Sequence, residues 1–128
     1  MIQTFRRRTF FHIHQSYRSL SSSMSAAVQA VAASNTRILS SLRPAPHVVV
    51  VGGTSGIGRS IALCIARHCP EAQITIIGRN EAAATSILSQ LGANPKFLRA
   101  NVSLMSEIRS VTRKINAVEM LILTQGIL

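Results

Sequence analysis

A chain of 128 residues, 47% hydrophobic and 14% charged, has room for one domain and enough apolar side chains to fold for at least part of its length. Its formal net charge of +10 is unevenly spread: residues 1–46 hold six arginines and no acid, and residues 47–128 hold eight basic and four acidic side chains, with no aspartate anywhere. No run of eighteen apolar residues exists, so no transmembrane segment is expected, and Cys64 and Cys69 lack the paired spacing of a zinc site or a disulfide framework and read as reduced thiols.

The opening segment, "MIQTFRRRTFFHIHQSYRSLSSSMSAAVQAVAASNTRILSSLRPAP", is rich in arginine and serine and free of acids. That is the composition of a mitochondrial transit peptide or of a solvated, disordered tail, and it lacks the apolar centre of a secretory signal. Met24 offers a second start, "MSAAVQAVAA", which removes Arg6, Arg7, Arg8 and Arg18 together. A mitochondrial location is therefore expected for translation from Met1 and a cytoplasmic one from Met24. His12 and His14 stand without a cysteine or carboxylate nearby, so no metal is expected. The basic "FRRR" is read as part of the address, not as a nucleic-acid contact. "RPAP" at 43–46 stiffens the chain and sets the expected boundary: a targeting or disordered tail over 1–46, a folded half-domain over 47–128.

From there strand and helix patterns alternate. "HVVVV" (47–51) is a continuous β-branched run, as in a strand covered on both faces. After a glycine turn, Ile57, Ile61, Cys64, Ile65 and His68 recur at helical spacing up to Pro70. "QITIIG" (73–78) is a second strand, and Asn80 caps a helix whose Ala84, Ile87, Leu88 and Leu91 share a face before Gly92. "KFLRANV" (96–102) is a third strand, Ser103 caps a helix through Leu104, Ile108, Val111 and Ile115, and "VEMLILT" (118–124) is a fourth strand. Strands joined by single helices make right-handed parallel crossovers, so the class is α/β with a parallel sheet ordered 3-2-1-4, half of a doubly wound fold. The fourth strand is then an apolar sheet edge four residues from the last residue, and the expectation is that further elements cover it in a longer protein.

The turn "GGTSGIGRS" admits two phosphate-binding readings. As G-x-x-x-x-G-R-S from Gly53 it is one residue from a nucleoside-triphosphate loop, but Arg59 replaces the lysine and no aspartate is available for magnesium. As G-x-x-x-G-x-G it is a dinucleotide turn. Gly52 allows the sharp bend, Gly56 lets backbone N–H groups approach a pyrophosphate, and Gly58 lets helix and strand pack closely. Thr54, Ser55 and Ile57 lie between these glycines and join the candidate cofactor-binding set. The second strand ends in "GRN", with Arg79 lying 21 residues after Gly58. An acid there suits the ribose 2′-hydroxyl of NAD, whereas arginine suits the 2′-phosphate of NADP; Arg59 and Asn80 are added as neighbours of that group.

With "VGGTSGIGR", "IIGRN", "ANVS" and "LTQGI" in order, residues 47–128 resemble the N-terminal half of a short-chain dehydrogenase/reductase, most closely fungal members carrying "GGTSGIG". The resemblance implies a Rossmann domain whose full form transfers hydride between NADP(H) and a small-molecule alcohol or carbonyl, and leaves a homo-oligomer open. It implies that Asn101, where the family has aspartate, contacts the adenine amino group through its amide oxygen, with Val102 beside the base. Gly126 is implied next to the cofactor. Val51 stands where the family has a turn-bracing threonine, and Leu123, Thr124, Gln125 and Gly126 where it has N-N-A-G. The family's catalytic serine and Y-x-x-x-K pair have no counterpart here, since Tyr17 lies in the tail and neither Lys96 nor Lys114 stands four residues after a tyrosine. No catalytic residue is assigned. The alternative is a non-catalytic nucleotide-binding or interaction protein completed by a partner chain.

Overall fold

The computed structural model describes residues 25–125. Along them run α1 (Ala26–Ser40), β1 (His47–Val51), α2 (Gly56–His68), β2 (Gln73–Gly78), α3 (Glu81–Leu88), β3 (Lys96–Arg99), α4 (Met105–Thr112) and β4 (Met120–Leu123). Every strand pair is parallel and the order is β3-β2-β1-β4, the arrangement read from the alternating pattern. The expectation of a strand covered on both faces holds for β1. Val48 and Val50 join one core cluster with Ile74, Ile76 and residues of α2 and α3, while Val49 and Val51 join a second with Ile77 and Val111 of α4. Helices therefore flank both faces of a Rossmann-type sheet.

α2 keeps most of its expected stripe, with Ile65 buried and Ile61 packed against the first core cluster, but Ile57 leaves it. Gly58, Ala62, Ile65 and Ala66 face the sheet, and Ile57 is 74% exposed. Small side chains on the inner face let the helix axis approach the strands, which turns the bulkier Ile57 outward. Cys69 ends the helix just before Pro70, and its N–H reaches the Ile65 carbonyl at 2.8 Å. Cys64 and Cys69 are free thiols, half-buried and buried. Asn80 caps α3 as expected, its side chain accepting the Ala83 N–H at 3.0 Å.

Two expected boundaries shift for one local reason. β3 stops at Arg99 instead of Val102, and α4 is capped by Leu104, not Ser103. Asn101 draws the chain into a turn: its amide oxygen accepts both the Ser103 N–H (3.2 Å) and the Ser103 hydroxyl (2.6 Å), so Ser103 is no longer available to α4. Backbone pairing past Arg99 amounts to one bond, Ala100 N–H to the Gly78 carbonyl at 2.9 Å.

His47 ties the opposite ends of three strands together. Its Nδ1 lies 2.8 Å from the Ala117 carbonyl, which can only accept, so Nδ1 donates there, and Nε2 lies 2.9 Å from the hydroxyl of buried Thr75, which it accepts in the neutral ring. The Glu119 carboxylate takes the His47 N–H at 2.7 Å. β4 begins only after this junction, at Met120 instead of Val118. On the side of the sheet that carries α4, which they share with their partners Val49 and Val51, Leu121 and Leu123 are 59% and 62% exposed.

The described chain divides into two units at Arg37/Ile38. No residue of α1 is buried. In the second unit Leu39 and Leu42 pack against the first core cluster, so apolar packing begins upstream of residue 47. The arginine- and histidine-rich stretch 1–24 lies outside the described residues.

Candidate functional site

The C-terminal ends of β1, β2, β3 and β4 open on a cleft of about 750 Å³. It lies where the strand order reverses, between β1 with β2 on one side and β4 on the other, the place where open α/β sheets bind ligands. Its floor is the glycine turn. Gly52 takes φ +85°, a left-handed conformation that bends the chain off β1, and its N–H donates to the Ile77 carbonyl at 2.8 Å. Gly58 is a glycine for space: a Cβ there would come within 2.5 Å of the Gly52 carbonyl oxygen and collide with the Thr124 hydroxyl. The first N–H groups of α2, which have no intrahelical partners, are thereby held beside the strand ends. A Cβ at Gly56 would meet nothing within 4 Å, so this point of the turn is open to an approaching group.

The brace of this turn comes from β4. The Thr124 hydroxyl donates to the Val51 carbonyl at 2.9 Å, and the Thr124 N–H donates to the same oxygen at 2.9 Å. Val51 itself, 7% exposed, is a core residue. The hydroxyl absent at 51 is thus present at 124.

Of the residues singled out from sequence, the cleft brings together Gly52, Thr54, Ser55, Gly56, Ile57 and Gly58 from the turn, Arg79 from the end of β2, and Asn101 and Val102 beyond β3. Arg59 and Asn80 do not line it. Arg59 lies on exposed helix surface past the turn, and the Asn80 side chain is engaged in capping α3. Gly126 lies outside the described residues. Ser60, the magnesium position of the triphosphate-loop reading, turns its hydroxyl to the Gly56 carbonyl at 3.1 Å instead of toward the cleft.

Asn101 differs in detail from its expected role. Its amide oxygen accepts two bonds from Ser103, which occupies both lone pairs, so the amide group has its NH₂ rather than its oxygen left for a base. The Asn101 N–H donates to the Glu107 carboxylate at 2.6 Å, holding α4 against the end of β3. Gly78 and Ala100 also line the cleft, and a Cβ at Gly78 would press on Thr54 Cγ2 at 3.0 Å. Arg99 and Glu107 were not foreseen. With Arg79, Ala100 and Asn101 they line an adjoining cleft of about 390 Å³. The signal for Arg99 is its pairing with Gly78 across β2 and β3, which exists only once the register is known.

These features fit a dinucleotide: a glycine cradle that a side chain would fill, unpaired helix N–H groups at its floor, and a cation at the rim. They do not fit a magnesium triphosphate, for which the described residues offer neither a cleft-facing lysine nor a carboxylate beside the Ser60 hydroxyl.

Comparison with known proteins agrees. The sequence profile of the short chain dehydrogenase family matches residues 46–127. Oxidoreductase AN1596 of Emericella nidulans is 41% identical over 81 residues, covering 58% of this chain and 24% of that protein. Oxidoreductase andH of Emericella variicolor is 32% identical over 85 residues, covering 59% and 25%. A solved short chain dehydrogenase/reductase family protein superimposes with a TM-score of 0.59 at 26% identity, covering 64% of this chain and 34% of its own. The chain thus spans about a quarter of the length of these curated relatives. It belongs to the short-chain dehydrogenase/reductase family of oxidoreductases, which bind a nicotinamide cofactor.

Proposed function

We propose that this chain forms the adenosine- and pyrophosphate-holding part of an NADP(H)-dependent oxidoreductase acting on a small-molecule alcohol or carbonyl. The observation that carries the cofactor preference is Arg79, at the end of β2 and on the rim of the cleft, with no acid at that position. A carboxylate there would accept hydrogen bonds from a ribose 2′-hydroxyl and repel a 2′-phosphate. A guanidinium does the reverse, with a planar fork that matches phosphate oxygens.

The bound dinucleotide supplies or accepts the hydride. The chain's own residues act on the other end of that molecule. The N–H groups at the start of α2 receive the pyrophosphate, Thr54 and Ser55 offer hydroxyls beside it, and Val102 and the Asn101 amide border the base. Ser55 is suited to this because, as the residue preceding α2, it makes no side-chain cap bond of its own. Proton transfer to the substrate is assigned to no residue among 1–128.

The test is titration of the purified chain with NADP⁺ and NAD⁺. Tighter binding of NADP⁺ by roughly tenfold is expected from one charge-assisted contact, and Arg79→Gln should remove most of that difference. Equal affinity for the two dinucleotides refutes the preference.

A second reading, a nucleotide-binding module completed by a partner chain, is favoured by the exposed Leu121 and Leu123 on the β4 edge. For residues 1–46 we propose mitochondrial delivery when translation begins at Met1. A reporter fused to residues 1–46 tests this, and cytosolic fluorescence from both starts rejects it.

A further inference from the structure

We propose that Arg99 is a second specificity-determining arginine, closing on the 2′-phosphate from β3 while Arg79 closes on it from β2. The proposal rests on the NADP reading above and names the residue that completes the site. It starts from register. In the parallel β2–β3 pair Gly78 is the partner of Arg99, so the two side-chain positions face the same side of the sheet. Glycine at 78 makes room there for the Thr54 side chain. A Cβ at Gly78 would lie 3.0 Å from the Thr54 Cγ2, so the side in question is the one that carries the glycine turn. Thr54 thus packs down on Gly78, and Arg99, the partner of Gly78 on the neighbouring strand, lies on the same side one strand away from the turn.

The second observation is the adjoining cleft of about 390 Å³, which shares Arg79, Ala100 and Asn101 with the first. A ligand in the larger cleft would meet Arg79 and Arg99 together at this end. Both are exposed and, among the described residues, neither side chain makes an ion pair or hydrogen bond. The acid in this smaller cleft, Glu107, has one carboxylate oxygen engaged by the Asn101 N–H at 2.6 Å. Its charge offsets the repulsion between the two guanidinium groups when no ligand is bound.

Charge makes the third point. A ribose 2′-phosphate brings nearly two negative charges, comparable to other phosphate monoesters at neutral pH. Arg59 does not line either cleft, so Arg79 alone would leave such a group half neutralised beside Glu107. Two guanidinium groups, one from each strand end, supply matching charge and forked donors.

The experiment is an NMR titration of the full chain with adenosine 2′,5′-bisphosphate and with 5′-AMP, which differ only by the 2′-phosphate. The wild-type chain should prefer the bisphosphate. Arg99→Gln should weaken bisphosphate binding roughly tenfold and leave 5′-AMP binding unchanged, with Arg99→Lys in between. If Arg99→Gln keeps the full preference while Arg79→Gln abolishes it, the role of Arg99 is overturned and the NADP reading stands. Equal weakening of both ligands by Arg99→Gln also overturns it, since the arginine would then act on the nucleotide at large. If the wild-type chain binds the two ligands equally, the NADP reading fails and this proposal fails with it.

Discussion

Replacing Gly58 by alanine adds one methyl group at the most crowded of the described glycines. The new Cβ would be 2.5 Å from the Gly52 carbonyl oxygen, about 0.9 Å short of the 3.4 Å at which ordinary contact begins, and it would also strike the Thr124 hydroxyl. The oxygen cannot easily yield. Gly52 is fixed at φ +85° with its N–H bonded to Ile77, and the preceding carbonyl holds two bonds from Thr124. α2 must therefore lift, loosening the contacts of Ala62, Ile65 and Ala66, which are 0%, 4% and 7% exposed. Overpacking of this kind costs about 3 kcal/mol. With a urea dependence of about 1.5 kcal/mol per molar, the unfolding midpoint should fall by about 2 M.

Gly56→Ala is the control. It meets no atom within 4 Å, so it carries only the backbone cost of alanine at φ +53°, about 1 kcal/mol. Urea unfolding followed by circular dichroism should rank Gly58→Ala well below Gly56→Ala in stability. In nucleotide titrations, by contrast, both should lose affinity, because the Gly56 methyl group would project into the open side of the turn. Equal stability of the two variants would refute the claim that Gly58 sets the distance between helix and strand.

Asn80→Ala should cost about 1 kcal/mol through loss of the α3 cap yet leave dinucleotide affinity unchanged, and Asn80→Ser should restore stability; chemical denaturation with a parallel titration checks both. His47→Phe strands the hydroxyl of Thr75, which is 1% exposed, and should cost about 1–3 kcal/mol in the same unfolding assay. Leu121→Lys with Leu123→Lys places charge on the exposed edge strand and should shift sedimentation toward monomer, while the circular dichroism spectrum stays that of the parent.

The strand order was legible because β-branched runs separated by single helices leave few right-handed parallel solutions. The face of α2 was legible only in part: Ile61 and Ile65 turn inward as expected, and Ile57 does not. Hydrophobic periodicity weights large side chains, and here Gly58, Ala62 and Ala66, whose value is their smallness, share the contact surface with Ile65. The end of β3 was misjudged for a different reason: strand propensity carries no information about Asn101 capturing Ser103 with its side chain. The cleft was largely legible, since a glycine turn between a strand and a helix constrains its own neighbours. Arg59 and Asn80 were assigned to it by nearness in sequence, and helix geometry carries them past it. Arg99 is the converse case, distant from the turn in sequence and brought alongside it by pairing with Gly78.

Two departures from the family pattern acquire a common explanation once the sheet is assembled. Valine at 51 removes a hydroxyl from the end of β1, and threonine at 124 adds one at the end of β4. These positions meet, because Leu123 pairs with Val51 and Thr124 follows it. The Thr124 hydroxyl then bonds the Val51 carbonyl from the neighbouring strand, and the buried valine side chain adds to the second core cluster. The Thr124 hydroxyl oxygen also forms one wall of the space that Gly58 leaves empty. A single hydroxyl thus couples β1, the turn, α2 and β4, so any substitution at 124 acts on the phosphate-facing turn and on the edge of the sheet together.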